Sequence, residues 1–102
     1  MFDLERRIVY FEKAGRVNTE RTLRLAMERA QELGINNIVV ASTHGYTAEK
    51  ALEILRGTDL SLVVVGIGRE SFSKDVLRTL EDGEVPLLFS DEVEYTHPQL
   101  MK

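Results

Sequence analysis

Apolar residues fall along the chain in two alternating patterns. Short continuous runs stand at Arg7–Phe11, Asn37–Ser42, Ser61–Gly66 and Pro86–Phe89. Between them, apolar residues recur at intervals of three and four. Compact runs rich in β-branched and aromatic residues predict strands, and the longer period predicts helices with one buried stripe. The first helix is expected over about residues 19–33, with Leu23, Ala26, Met27, Ala30 and Leu33 on its buried face. Asn18 or Thr19 would cap its start and Gly34 would end it. Leu25 points away from that stripe and reads as a surface or oligomer contact. The second helix spans about residues 46–56, burying Ala48, Ala51, Leu52 and Leu55 and ending at Gly57. The third spans about residues 73–82, burying Val76, Leu77 and Leu80, with Phe72 near its start and Gly83 at its end.

The runs at Ile38–Ala41 and Leu62–Val65 do not alternate with polar residues. Continuous apolar strands are what a parallel sheet covered on both faces requires. The β-α-β-α-β-α-β order therefore predicts an α/β protein: a three-layer α/β/α sandwich around a mostly parallel sheet of four or five strands. Each crossover is expected to be right-handed. Pro86 suits a strand's first position, where no ladder donor is needed. Val93 and Tyr95 could add a short edge strand, and residues 96–102 read as a tail.

Composition narrows the classes. A chain of 102 residues with 43% hydrophobic and 29% charged residues predicts one globular domain spanning residues 1–102. There is no cysteine, so neither a disulfide framework nor a thiolate metal site is available. The two histidines, His44 and His97, lack metal-ligand spacing. A net charge of −4 without a basic cluster argues against nucleic acid as a partner. No run approaches the roughly 20 apolar residues of a membrane-spanning helix. The first residues lack the apolar core of a signal peptide, so no membrane partner and a cytoplasmic location are expected. Few amides beside many Arg and Glu residues are a thermophile's signature.

Ligands of open parallel sheets bind beyond the carboxyl ends of the strands. The chain places Lys13 and Arg16 after the first run, Ser42, Thr43, His44, Gly45, Tyr46 and Thr47 after the second, and Arg69 after the third. Hydroxyls, a close-approach glycine, a helix N-terminus and basic side chains are the parts of an anion site. Glu12, Glu70, Asp91 and Glu92 occupy the same edge, so a mixed-charge solvated rim fits these residues as well. An ordinary capped strand-to-helix connection also accounts for Ser42–Thr47. Gly66-Ile67-Gly68 is not completed into a dinucleotide fingerprint, because position 71 is Ser. A Walker A loop and a Gly-x-Ser-x-Gly elbow are both missing. No catalytic constellation emerges; His44 is the one candidate acid–base group. Tyr46 could stack on a flat ligand or pack at the helix start.

Two stretches carry a resemblance. Tyr10-Phe11-Glu12-Lys13-x-Gly15-x-x-Asn18-Thr19, and Ile38-Val39-Val40-Ala41-Ser42-Thr43-x-Gly45-Tyr46-Thr47-Ala48 after it, resemble small, mainly archaeal proteins similar to the C-terminal α/β domain of pyruvate kinase. The resemblance is specific over about residues 7–56 and loose beyond. Ala14 stands where proline is expected, and His44 where a small hydroxyl residue is commoner. Members usually have a longer second half. The resemblance implies a strand order of 3-2-1-4, counting the four runs in sequence. It also implies a phosphate contact at Ser42, Thr43, Gly45, Thr47 and Ala48, which match the turn that holds a phosphate of a sugar bisphosphate effector in pyruvate kinase. It implies no kinase activity, since the kinase's active site lies in another domain. Stand-alone relatives bind a ligand like flavin mononucleotide (FMN). The resulting expectation is a non-catalytic module for a small phosphorylated molecule, with Lys13, Arg16 and Arg69 as secondary charge. The alternatives are a flavin- or phosphosubstrate-dependent enzyme using His44, and a homo-oligomeric regulatory module.

Overall fold

The computed structural model describes residues 6–92. The expected edge strand at Val93 and Tyr95 and the tail at 96–102 lie outside the described residues. Three helices and three strands follow in the order α1 (Thr19–Leu33), β1 (Asn37–Ala41), α2 (Tyr46–Leu55), β2 (Ser61–Gly66), α3 (Lys74–Asp82) and β3 (Leu87–Phe89). The strands form a parallel sheet in the order β1-β2-β3. Val39 lies beside Val63, Ala41 beside Val65, and Val65 beside Leu88.

Sequential strand order has a direct consequence. Right-handed crossovers between neighbouring parallel strands all deliver their helices to the same face. α2 lies across β1 and β2, α3 packs against α2, and α1 packs mainly on α2 rather than on a strand. Ile38, Val40, Leu62, Val64 and Phe89 face this helical layer and are buried or half-buried. The opposite face carries Asn37, Val39, Ala41, Ser61, Val63, Val65 and Leu88, without a charged residue. Val39 is 65% exposed and Leu88 54%. The described residues thus form two layers, not the three expected. Continuous apolar runs indicated two covered faces, but among the described residues the strand order puts helices on one face only.

The expected strand at Arg7–Phe11 is also absent: these residues join no ladder. They run along α1, where Arg7 approaches Glu28 at 3.7 Å and Val9 lines an open groove with Thr22, Leu25 and Arg29. Leu25 therefore faces the groove beside the chain's own N-terminal segment. The order 3-2-1-4 is accordingly not the one seen, since the fourth run pairs with the third and, among the described residues, nothing pairs with the outer edge of β1.

The core lies between the sheet and α2 and α3. Ala48 and Ala51 are fully buried, and their small side chains let α2 lie close over Val40 and Val64. Phe72 and Phe89 meet edge to face, with centroids 5.2 Å apart and planes at 87°, the geometry that aligns a ring's positive edge with its neighbour's negative face. Leu23, Met27 and the buried Ala30 bring α1 to this core. Ala26 and Leu33, expected on the same stripe, are exposed. α1 ends in a Schellman motif, with Gly34 at φ 69°, the Gly34 N–H donating to the Gln31 carbonyl and the Ile35 N–H to that of Ala30. α3 closes with the same pattern, but there the left-handed residue is Glu84, at φ 58°, and not the glycine before it.

Candidate functional site

The turn from β1 to α2 is built around Ser42. Its hydroxyl accepts a 3.1 Å hydrogen bond from the Gly45 N–H, and its own N–H donates to the Val65 carbonyl at 2.9 Å. Ser42 is 8% exposed. It ties the turn to β2 and closes it on itself, which fixes its side chain in the wall of the turn. Gly45 adopts φ 97°, in the region that disfavours a side chain. A Cβ there would lie 2.8 Å from Val76 Cγ1 and 3.2 Å from Phe72 Cδ2. The α3 side of the core thus forms the back wall of the turn. Val76 and Phe72 were legible in the sequence as core residues, but nothing local linked them to this turn.

No side chain caps the start of α2. The Glu49 N–H bonds the Gly45 carbonyl at 2.9 Å, leaving the N–H groups of the half-buried Tyr46 and Thr47 ahead of it for an outside acceptor, while Ala48 is fully buried. α3 differs: Ser73 Oγ accepts from the Val76 N–H at 3.2 Å. At α1, the Asn18 side chain donates to the Lys13 carbonyl instead of capping the helix. Thr43 and His44 are exposed on the turn, and Tyr46 and Thr47 are half-buried.

Of the three basic residues expected near the turn, Arg16 reaches it. Its guanidinium lies 4.2 Å from the centroid of the Tyr46 ring, a cation–π distance. That contact occupies one face of the Tyr46 ring. The side chain of Lys13 is exposed and forms no ion pair among the described residues. Arg69 is engaged elsewhere. It donates to both carboxylate oxygens of Glu92, at 3.0 and 3.2 Å, lies 4.0 Å from Glu81, and sits over the Phe89 ring at 4.8 Å. The hydrogen bond from Arg69 holds the Glu92 carboxyl below its ordinary value, and the same bond raises the pKa of Arg69.

Electrostatically, the strand ends divide in two. The β1–α2 side carries Arg16 and the helix N-terminus. The β2–β3 side carries Arg69 neutralised by Glu92, with Glu70 and Asp91 crowding Gly68. Among the described residues no group of His, Asp and Glu could hold a metal ion, and no helix is long and apolar enough to cross a membrane. The chain matches no family model.

Proposed function

We propose that the chain is a non-catalytic binding module that takes the phosphate of a small molecule at the Ser42–Thr47 turn. The observation that carries this reading is the uncapped start of α2 beside Arg16. Unpaired N–H groups and the positive end of the helix dipole favour an anion there. In this reading the Tyr46 and Thr47 N–H groups and the hydroxyls of Thr43 and Thr47 hold the phosphate, and Arg16 supplies the charge. Ser42 and Gly45 shape the turn rather than touch the ligand. The resemblance of this turn to the effector turn of pyruvate kinase supports the same class of ligand, with FMN or a sugar phosphate as the first candidates. Kinship with that domain's fold and a cytoplasmic setting belong to the same proposal.

Thermal unfolding with inorganic phosphate, sugar phosphates and FMN at millimolar concentration tests it. A ligand at 100 times its Kd stabilises the folded state by about 2.7 kcal/mol. Arg16→Ala should weaken the effect at least tenfold in Kd, whereas Arg69→Ala should leave it unchanged. Absence of any shift with all three ligand classes would overturn the reading.

A further inference from the structure

We infer that Asn18 is a positioning residue for Arg16: it locks the loop of residues 13–18 and so lays the Arg16 guanidinium on Tyr46 at the start of α2. Asn18 stands where a residue of its type would cap α1, and it makes no cap. Its backbone is at φ −98° and ψ −4°, a helical conformation rather than the extended one from which a side chain reaches the first helical N–H groups. Its side-chain amide turns the other way and donates to the Lys13 carbonyl. The start of α1 is left without side-chain help, and the loop before it is held instead.

Packing does not hold that loop. The 3-10 turn Arg16–Asn18 has no buried residue, Val17 is 71% exposed, and a Cβ at Gly15 would meet nothing within 4 Å. Hydrogen bonds hold it, and Asn18 supplies two of them. Its N–H donates to the Gly15 carbonyl at 3.1 Å, and its side chain donates to that of Lys13. Between these acceptors and the turn, Gly15 adopts φ 100°, which bends the chain back. The next residue, Thr19, opens α1, and the packing of α1 on α2 anchors the base of the loop. Asn18 therefore joins both ends of the loop that carries Arg16 to a fixed helix.

The result is one defined place for a long side chain. The Arg16 guanidinium lies 4.2 Å from the centroid of the Tyr46 ring and forms no ion pair among the described residues. A guanidinium carries more N–H donors than one ring face can engage, so donors remain for an anion at the start of α2. An arginine braced in this way has already lost the rotamer freedom that binding would otherwise remove. The effect on affinity rests on the phosphate reading of the turn; the placement of Arg16 does not.

Asn18→Ser separates this role from helix capping. Serine is neutral and caps a helix as well as asparagine does, but it is too short to bridge to the Lys13 carbonyl as the amide does. The side-chain NMR signals of Arg16, shifted by the Tyr46 ring current in the unaltered protein, should move toward random-coil positions in the variant. Inorganic phosphate should bind it about three- to tenfold more weakly, the cost of ordering one long side chain, while Tm falls by no more than a few degrees. In an Arg16→Ala background the same substitution should leave the phosphate Kd unchanged, which a general loosening of the fold would not do. Unmoved Arg16 signals, an unchanged Kd in the single variant, or equal weakening with and without Arg16 would each overturn the proposal. If the unaltered protein binds no phosphate, the reading of the turn falls, and the Arg16 signals still decide whether Asn18 places that side chain.

Discussion

Gly45→Ala tests whether the back wall of the turn fixes its shape. The added Cβ meets two obstacles in the structure. The residue sits at φ 97°, and the left-handed region costs a side-chain-bearing residue about 1–2 kcal/mol. The methyl would also lie 2.8 Å from Val76 Cγ1, and overpacking of this kind costs about 1–3 kcal/mol. Alanine restricts the unfolded chain, which offsets roughly 0.4–1 kcal/mol. The net loss should therefore be about 1–4.5 kcal/mol, a large fraction of the 5–15 kcal/mol typical of a domain. Urea denaturation measures it, with the m-value checking that the unfolded reference is unchanged. A second variant separates crowding from backbone strain. Val76→Ala removes the close methyl, so the double variant should be less destabilised than the sum of the singles by about 0.5 kcal/mol or more. A loss below about 0.5 kcal/mol for Gly45→Ala, or simple additivity with Val76→Ala, would refute the account of the turn.

Two further expectations follow from the α3 terminus and the Arg69 cluster. Glu84→Gly relieves a left-handed residue worth about 1–2 kcal/mol at the cost of a more flexible unfolded chain, so stability should rise by about 0.5–1 kcal/mol and Tm by a few degrees; an unchanged or lower Tm contradicts it. The folded pKa of Glu92 lies below its ordinary 4.5, so its stabilisation is fully present above 4.5 and is lost as pH falls through the lowered folded value. Glu92→Gln should therefore flatten the acid limb of the Tm–pH curve, and parallel curves for the two proteins would exclude the pairing with Arg69.

The helices were legible because their stripes are strong. Ala48, Ala51, Leu55 and Leu80 repeat at helical spacing and are buried, and the Ser73 cap stands where a serine precedes an apolar-periodic stretch. Local pattern fails where a neighbour decides. Val39 and Leu88 look like residues of a doubly covered strand, but strand order, which no local window contains, leaves them exposed on a face that no described helix covers. Arg7–Phe11 has the composition of a strand and lies along α1 instead. The candidate turn was readable as a strand-to-helix junction with hydroxyls. Its electrostatics were not, because Glu92 captures Arg69 from 23 positions away while Arg16 folds back onto Tyr46. Gly83 was a natural helix stop in the sequence, yet Glu84 takes the left-handed position, and a Cβ at Gly83 would press within 3.0 Å of a Leu52 methyl.

The sheet face that the described residues leave uncovered also bears on how stability responds to temperature. Apolar surface already in water in the folded state adds nothing to the heat capacity of unfolding. A domain of this size ordinarily gains about 1.2–1.5 kcal/mol/K on unfolding, with apolar area contributing about 0.45 cal/K/mol per Å². Every few hundred Å² of apolar surface left in water removes roughly a tenth of that gain. The stability curve is correspondingly flatter, and the native state spans a wider range between its cold and hot limits for a given maximum stability. A sheet shielded on one side thus gives up hydrophobic stabilisation together with heat capacity, and the breadth of its stability curve follows the ratio of the two.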